Sequence, residues 1–315
     1  MNQDILSRLD AAIKAITVGN LGEGILAPEQ FDRFVRAMQR RTNILQEARF
    51  MRMESQQVNI DRIGFAGYVL TQGITAAGVN RGTETKVKPA LAINKLQAAE
   101  FRGAMGLEDR ALRRNIERGG LEGTLVDLFG EAAGRDIETI GLLGDTDLGD
   151  TLLGTTNGWL EKAAHKLEAV SGAADDWPLN LFEAALQEMP KQFLTNPGEF
   201  RFYVPWLVAD AYRNALIARK YTLSDSVLTG GQVPPYKGIP VVVSGMLERS
   251  AVYDVAALLS HPDNMVWGVF HEVTIEPDRI AASRRTDFYL TVEMDVHYED
   301  ENAAVAVFIE NLPTP

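Results

Sequence analysis

The residues from which this 315-residue chain could build a reactive centre are four histidines, three clustered aspartates and one serine beside a glycine. A zinc site needs three or four ligands converging on one point, and His165, His261, His271 and His297 are scattered. His271-Glu272-Val273-Thr274-Ile275 opens like a zinc-protease helix, but isoleucine stands where the second histidine belongs and the neighbours read as strand. Asp145, Asp147 and Asp150 match half of a calcium loop without its glycine or its distal glutamate. A solvated acidic turn is expected there. Val242-Val243-Ser244-Gly245 lacks the leading glycine of a nucleophile elbow. No Gly-Lys-Ser/Thr occurs, so there is no phosphate-binding loop, and Gly19, Gly22 and Gly24 run in the reverse of the dinucleotide order. The chain has no cysteine, which excludes disulfides, thiolate metal sites and cysteine nucleophiles. No catalytic residue, metal or cofactor is expected, and the chain reads as a non-enzyme.

Apolar spacing indicates the elements that would position such residues. Residues 1–27 read as an arm, with Gly19, Gly22 and Gly24 interrupting any helix. Pro28 opens a helix at a favoured first-turn position. Phe31, Phe34, Val35, Met38, Leu45 and Ala48 form its apolar stripe, and Arg33, Arg36, Arg40 and Arg41 its basic one. Val58, Ile60, Ile63, Phe65, Tyr68 and Val69 predict a strand, Gly73, Gly78 and Gly82 a loop tip, and Ala90 to Leu96 a returning strand. This excursion, Val58 to Phe101, is too poor in apolar residues to stand alone and must lie on its own body or on a neighbour.

Leu121 to Leu143 predicts a long helix with a stripe of Leu121, Leu125, Leu128, Phe129, Ala132, Ala133, Ile137 and Ile140. Gly130 and Gly134 inside it each cost about 1 kcal/mol against alanine, which points to close packing or to a bend. Further helices are expected over Trp159–Val170, Leu179–Met189 and Leu207–Arg219. Strands are expected over Phe200–Val204, Ile239–Val243, Met265–Ile275, Phe288–Tyr298 and Ala303–Ile309, with Glu299-Asp300-Glu301 as a turn. Helices mid-chain and strands late give an α+β class.

Charge is unevenly spread. The net is −12, which argues against a general nucleic-acid binder. Between Arg33 and Arg118, 16 Lys+Arg stand against 8 Asp+Glu, whereas from Gly119 to Pro315 it is 13 against 30. The two parts either attract within one monomer or let a basic arm and loop lie on the acidic body of another copy. Met1 to Val18 carries Asp4, Arg8, Asp10 and Lys14 and is not a secretory signal, and no apolar run reaches the length of a transmembrane helix. No membrane partner is expected.

The order of these features resembles the Hong Kong 97-type fold of tailed-bacteriophage major capsid proteins. Leu121-Glu122-Gly123-Thr124-Leu125-Val126-Asp127 through Gly134-Arg135-Asp136-Ile137-Glu138 to Leu143-Gly144-Asp145 resembles that family's spine helix and its exit. Asn157-Gly158-Trp159-Leu160, Phe202-Tyr203-Val204, Tyr212-Arg213, Tyr236-Lys237-Gly238-Ile239-Pro240-Val241-Val242 and Asn264 to Glu276 resemble later pieces. The likeness runs from about Pro28 onward.

The resemblance implies an N-terminal arm (1–52) and an extended β loop (53–102). It also implies a peripheral domain (103–160 and 262–315, with the spine helix at 121–143) and a central axial domain (161–261). It further implies self-assembly into pentamers and hexamers of an icosahedral head around double-stranded DNA, built in a bacterial cytoplasm. Portal, scaffolding and decoration proteins would be the partners, with scaffolding supplied as a separate protein. Candidate assembly contacts are Arg36, Arg40, Arg41, Arg81, Lys86, Lys88, Arg113 and Arg114, and Gly130 and Gly134 are candidate flex points of the spine helix. No Lys–Asn crosslink is expected: Lys86, Lys88 and Lys95 lie in the loop that would supply the lysine, but the asparagine and glutamate partners match no motif. The alternatives are an encapsulin-like compartment shell, which would share the fold, and an α+β enzyme.

Overall fold

A computed structural model describes residues 43–65, 74–75, 78–79, 89–108, 121–149, 152–171, 177–218, 233–248, 255–270, 274–280 and 282–310. The arm and the helix expected from Pro28 up to Thr42 lie outside these residues. The helix that continues that stretch, α1 (Asn43–Glu47), stops one residue short of the expected Ala48. There the chain becomes β1 (Arg49–Met53), which pairs in parallel with β11 (Met265–Phe270). Ladder bonds to a distant strand replace the next helical turn.

Two five-stranded sheets and one long helix make the body. The first sheet is organised by β13 (Arg285–Tyr298). Along one edge runs β6 (Ala99–Glu108), from Ala99 opposite Met294 to Glu108 opposite Arg285. The other edge is shared end to end by β11, opposite 294–298, and β12 (Thr274–Ile280), opposite 285–291. Met265–Ile275 is therefore two strands rather than the one expected, because its two parts pair with different halves of β13. Phe288, Leu290, Val292, Met294, Val296 and Tyr298 alternate toward the core, while Tyr289 stays exposed.

Onto that core packs the spine helix α2 (Leu121–Leu143), with the bounds its sequence predicts. Ile137, Ile140, Leu142 and Leu143 are buried in it. At Gly141 the helix comes so close to β13 that an added Cβ would lie 3.2 Å from Val296 Cγ1. Gly130 and Gly134 are buried in the same unbroken helix.

The second sheet has the order β7 (His165–Ser171), β14 (Ala304–Glu310), β10 (Val255–Ser260), β8 (Arg201–Val204), β9 (Val241–Val243). Phe202, Val204, Ala257, Leu259, Val305, Val307 and Ile309 face α4 (Trp177–Glu188) and α5 (Trp206–Ala218). Tyr203, Leu258, Ala304, Ala306 and Phe308 face the core shared with α2 and the first sheet. A sheet covered on both sides needs apolar residues at every position, which is why Ala304–Ile309 is an unbroken apolar run.

This sheet corrects two expectations. The helix expected over Trp159–Val170 lasts four residues, α3 (Trp159–Lys162), and the rest is β7, parallel to β14. Residues 304–310, expected with the peripheral strands, form a strand of the second sheet between β7 and β10. The strand β10 and most of β6 were not anticipated.

The expected excursion is present as a ribbon. In it β2 (Gln57–Phe65) pairs antiparallel with β5 (Pro89–Gln97), Gln57 opposite Gln97 and Phe65 opposite Pro89. Between them in sequence, β3 (Ile74–Thr75) and β4 (Gly78–Val79) pair antiparallel with each other.

Candidate assembly surfaces

The ribbon meets the body at a densely bonded root. Met53, Ile60, Leu96 and Val266 form a small core of their own beneath it. Beside them Asp295, only 2% exposed, gathers four donors from three segments. The Gln97 N–H donates to Oδ2 at 2.8 Å. Lys162 Nζ at 2.8 Å, Thr156 Oγ1 at 3.1 Å and the Val296 N–H at 2.8 Å donate to Oδ1. Lys162 also donates to the Val296 carbonyl at 2.7 Å. A buried carboxylate is tolerated when its lone pairs are met in this way. Farther out, Asn94 Nδ2 donates to the Tyr298 carbonyl at 2.9 Å, Gln56 Nε2 to Glu293 at 3.0 Å, and Arg62 pairs with Asp300.

A second buried carboxylate sits on the spine helix. Glu138 is 2% exposed and receives the Ser244 hydroxyl at a long 3.4 Å. Burial pushes its carboxyl up to about 7, against the smaller downward pull of the Ile44 backbone and of Ser244. This joint brings together α1, α2 and the start of the turn after β9. Alongside it the Tyr203 hydroxyl donates to Glu47 at 2.8 Å, fastening α1 to the second sheet.

The residues with chemical potential are not brought together. His165 Nδ1 lies 3.2 Å from Glu188. His261 accepts the Asp263 N–H at 3.1 Å through Nδ1 and caps a short turn. His297 is buried in β13, where desolvation first and the charge of Lys162 second depress its pKa. His271 and Asp150 lie outside the described residues. Asp145 Oδ1 accepts the Asp147 N–H at 2.9 Å, a local turn. Ser244 donates to Glu138. Among the described residues no three His, Asp or Glu side chains group as metal ligands do.

All eight candidate contact residues, Arg36, Arg40, Arg41, Arg81, Lys86, Lys88, Arg113 and Arg114, lie outside the described residues. Sequence reasoning passed over Asp295, Lys162 and Gly268. The signal was a single aspartate inside the apolar run Met294-Asp295-Val296, and a glycine between Trp267 and Val269. Trp206 is 54% and its neighbour Leu207 42% exposed.

No family model matches the chain. It is similar to the "Putative prophage capsid protein YqbE" of Bacillus subtilis (strain 168), 26% identical over 313 residues that span 97% of this chain and 98% of the relative. Among solved structures, a chain of the satellite phage P4 procapsid superposes with a TM-score of 0.67 at 14% identity, covering 99% of this chain and 100% of that one. The capsid of the native GTA particle gives 0.61 at 13% identity, with 84% and 89% covered. Mycobacterium phage Adephagia gives 0.60 at 12% identity, with 87% and 91% covered. The resemblance found in the sequence is thus met at the level of the fold: the chain shares the Hong Kong 97-type fold of these phage capsid chains and is similar in sequence to a prophage capsid protein.

Proposed function

We propose that the chain is the major capsid protein of a tailed phage or prophage, whose copies close into pentamers and hexamers and tile an icosahedral head around double-stranded DNA. The observation that carries this is the whole-length likeness: a capsid relative matched over 97% of the chain, and procapsid and capsid chains that superpose over 99% and 84% of it. Head-to-tail contacts between unlike patches close into rings when the rotation permits. The ribbon, an antiparallel pair of nine-residue strands joined to the body at its root, is the part of the described chain best placed to cross onto an adjacent copy.

In this reading Arg81, Lys86 and Lys88, with Arg36, Arg40, Arg41, Arg113 and Arg114, supply the basic side of contacts whose acidic side is the body, residues 119–315. The first sheet with α2 forms the peripheral domain, and the second sheet with α4 and α5 the axial one. Gly130 and Gly134 are the points at which the spine helix bends between precursor and mature shells. Assembly takes place in the bacterial cytoplasm with portal, scaffolding and decoration proteins, and the DNA is held by enclosure.

Replacing residues 64–95 by a short turn tests the ribbon's part. The expected product keeps a cooperative thermal transition but sediments as a small species. Shells of normal size from that variant would contradict the proposal.

A further inference from the structure

We propose that the cross-strand pair Gly268–Asp295 is the positioning element of the ribbon: it fixes the direction in which β2 and β5 leave the body and, through that, the geometry of contact with the next copy. The second half of this statement rests on the assembly reading above. Gly268 on β11 and Asp295 on β13 stand opposite each other, and the ribbon root is seated on both.

Gly268 carries the apolar half of the seat. A Cβ built there would lie 2.7 Å from Met53 Sδ and 3.1 Å from Leu96 Cδ1. Those two side chains therefore occupy the space that any other residue would fill. Both are fully buried, so neither can swing into solvent to make room. Met53 ends β1, just before the ribbon, and Leu96 lies one residue from the end of β5. Asp295 carries the polar half. Its Oδ2 takes the Gln97 N–H at 2.8 Å, at the last residue of β5. Its Oδ1 is held by Lys162 at 2.8 Å and Thr156 at 3.1 Å, so the carboxylate cannot turn with the strand. One face of one residue pair thus clamps both the entry and the exit of the ribbon.

Leverage makes the clamp matter. A nine-residue strand extends about 30 Å, so a tilt of about 10° at the root moves the far end by about 5 Å, the spacing between neighbouring strands. Contact with another copy would slip by a whole strand. One face of the ribbon is open even near the body: Ile93 is 50% exposed.

The test uses the full chain in two forms. Hydrogen exchange on unassembled Gly268→Val should show amides of 57–65 and 89–97 exchanging about tenfold faster or more, with β13 and β14 amides within about threefold of the parent. Its assembled particles should lose their single diameter in electron micrographs. Should Gly268→Val fail to fold, the double variant Lys162→Met, Asp295→Leu removes the acceptor of the Gln97 N–H without stranding a buried charge, and the same pattern is expected. Unchanged ribbon exchange overturns the seat. Faster ribbon exchange with particles of unchanged diameter overturns its link to shell geometry. If the parent chain forms no particles even with its neighbouring genes co-expressed, the assembly reading fails, and the exchange measurement still decides on the seat.

Discussion

Glu138 and Asp295 are carboxylates of equal burial, each 2% exposed, in two regions with different tasks. Asp295, at the ribbon root, is met by four donors, three of them within 2.8 Å. Glu138, on the spine helix, has one hydroxyl at 3.4 Å and the Ile44 backbone, and burial outweighs both. What decides the behaviour of a buried acid is the number and closeness of its donors. Depth alone does not. The root is built as a fixed joint. The helix site, where α1, α2 and the turn at Ser244 meet, is built as a joint that responds to protons.

The sharpest way to break this comparison is to strip one partner from the fixed joint. Lys162→Met leaves Asp295 buried with its charge uncompensated, and about 3–5 kcal/mol of unfolding free energy should be lost. Urea denaturation of the unassembled chain measures it, and adding Asp295→Leu should recover most of the loss. A loss below about 1 kcal/mol would mean that the pair behaves as an exposed one.

The helix site predicts a pH dependence. Its carboxyl is raised from 4.5 to about 7 in the folded chain. The stability it contributes is therefore complete below the unfolded value and is lost as pH rises through about 7. The loss amounts to about 3 kcal/mol in all, of which about 1–2 kcal/mol falls between pH 6 and 8. Glu138→Gln should flatten that part of the curve and be the more stable protein at pH 8. Parallel curves for variant and parent would remove Glu138 from the account.

The smallest effect sharpens the contrast from outside. Arg49 and Glu299 pair at 2.7 Å with side chains 40% and 41% exposed. Arg49→Ala should cost less than about 1 kcal/mol, and less still at high salt.

The spine helix was legible because its 3.6-residue period persists over 23 residues and its ends carry glycines. The ribbon was legible from two β-rich runs around a glycine-rich tip. Residues 163–171 were not, because Ala163, Leu167 and Val170 fit helical spacing. Their strand exists only through parallel pairing with β14, far away in sequence. For the same reason the membership of residues 304–310 in the second sheet could not be read from their order. A short apolar run such as Val255-Ala256-Ala257-Leu258-Leu259 has no period that separates a buried strand from a buried helix. The seat was half visible: an aspartate amid apolar residues announces a bonded site, but its donors come from Gln97, Thr156 and Lys162, which only folding brings together. Contacts between copies leave still less trace in one chain, beyond the charge split between its two parts.

The most direct measurement is electron microscopy of the full chain expressed alone, after sizing. Closed shells, tubes, or rings of five or six are the predicted result. A uniform small monomer that stays monomeric when its neighbouring genes are co-expressed would contradict the assignment to a shell.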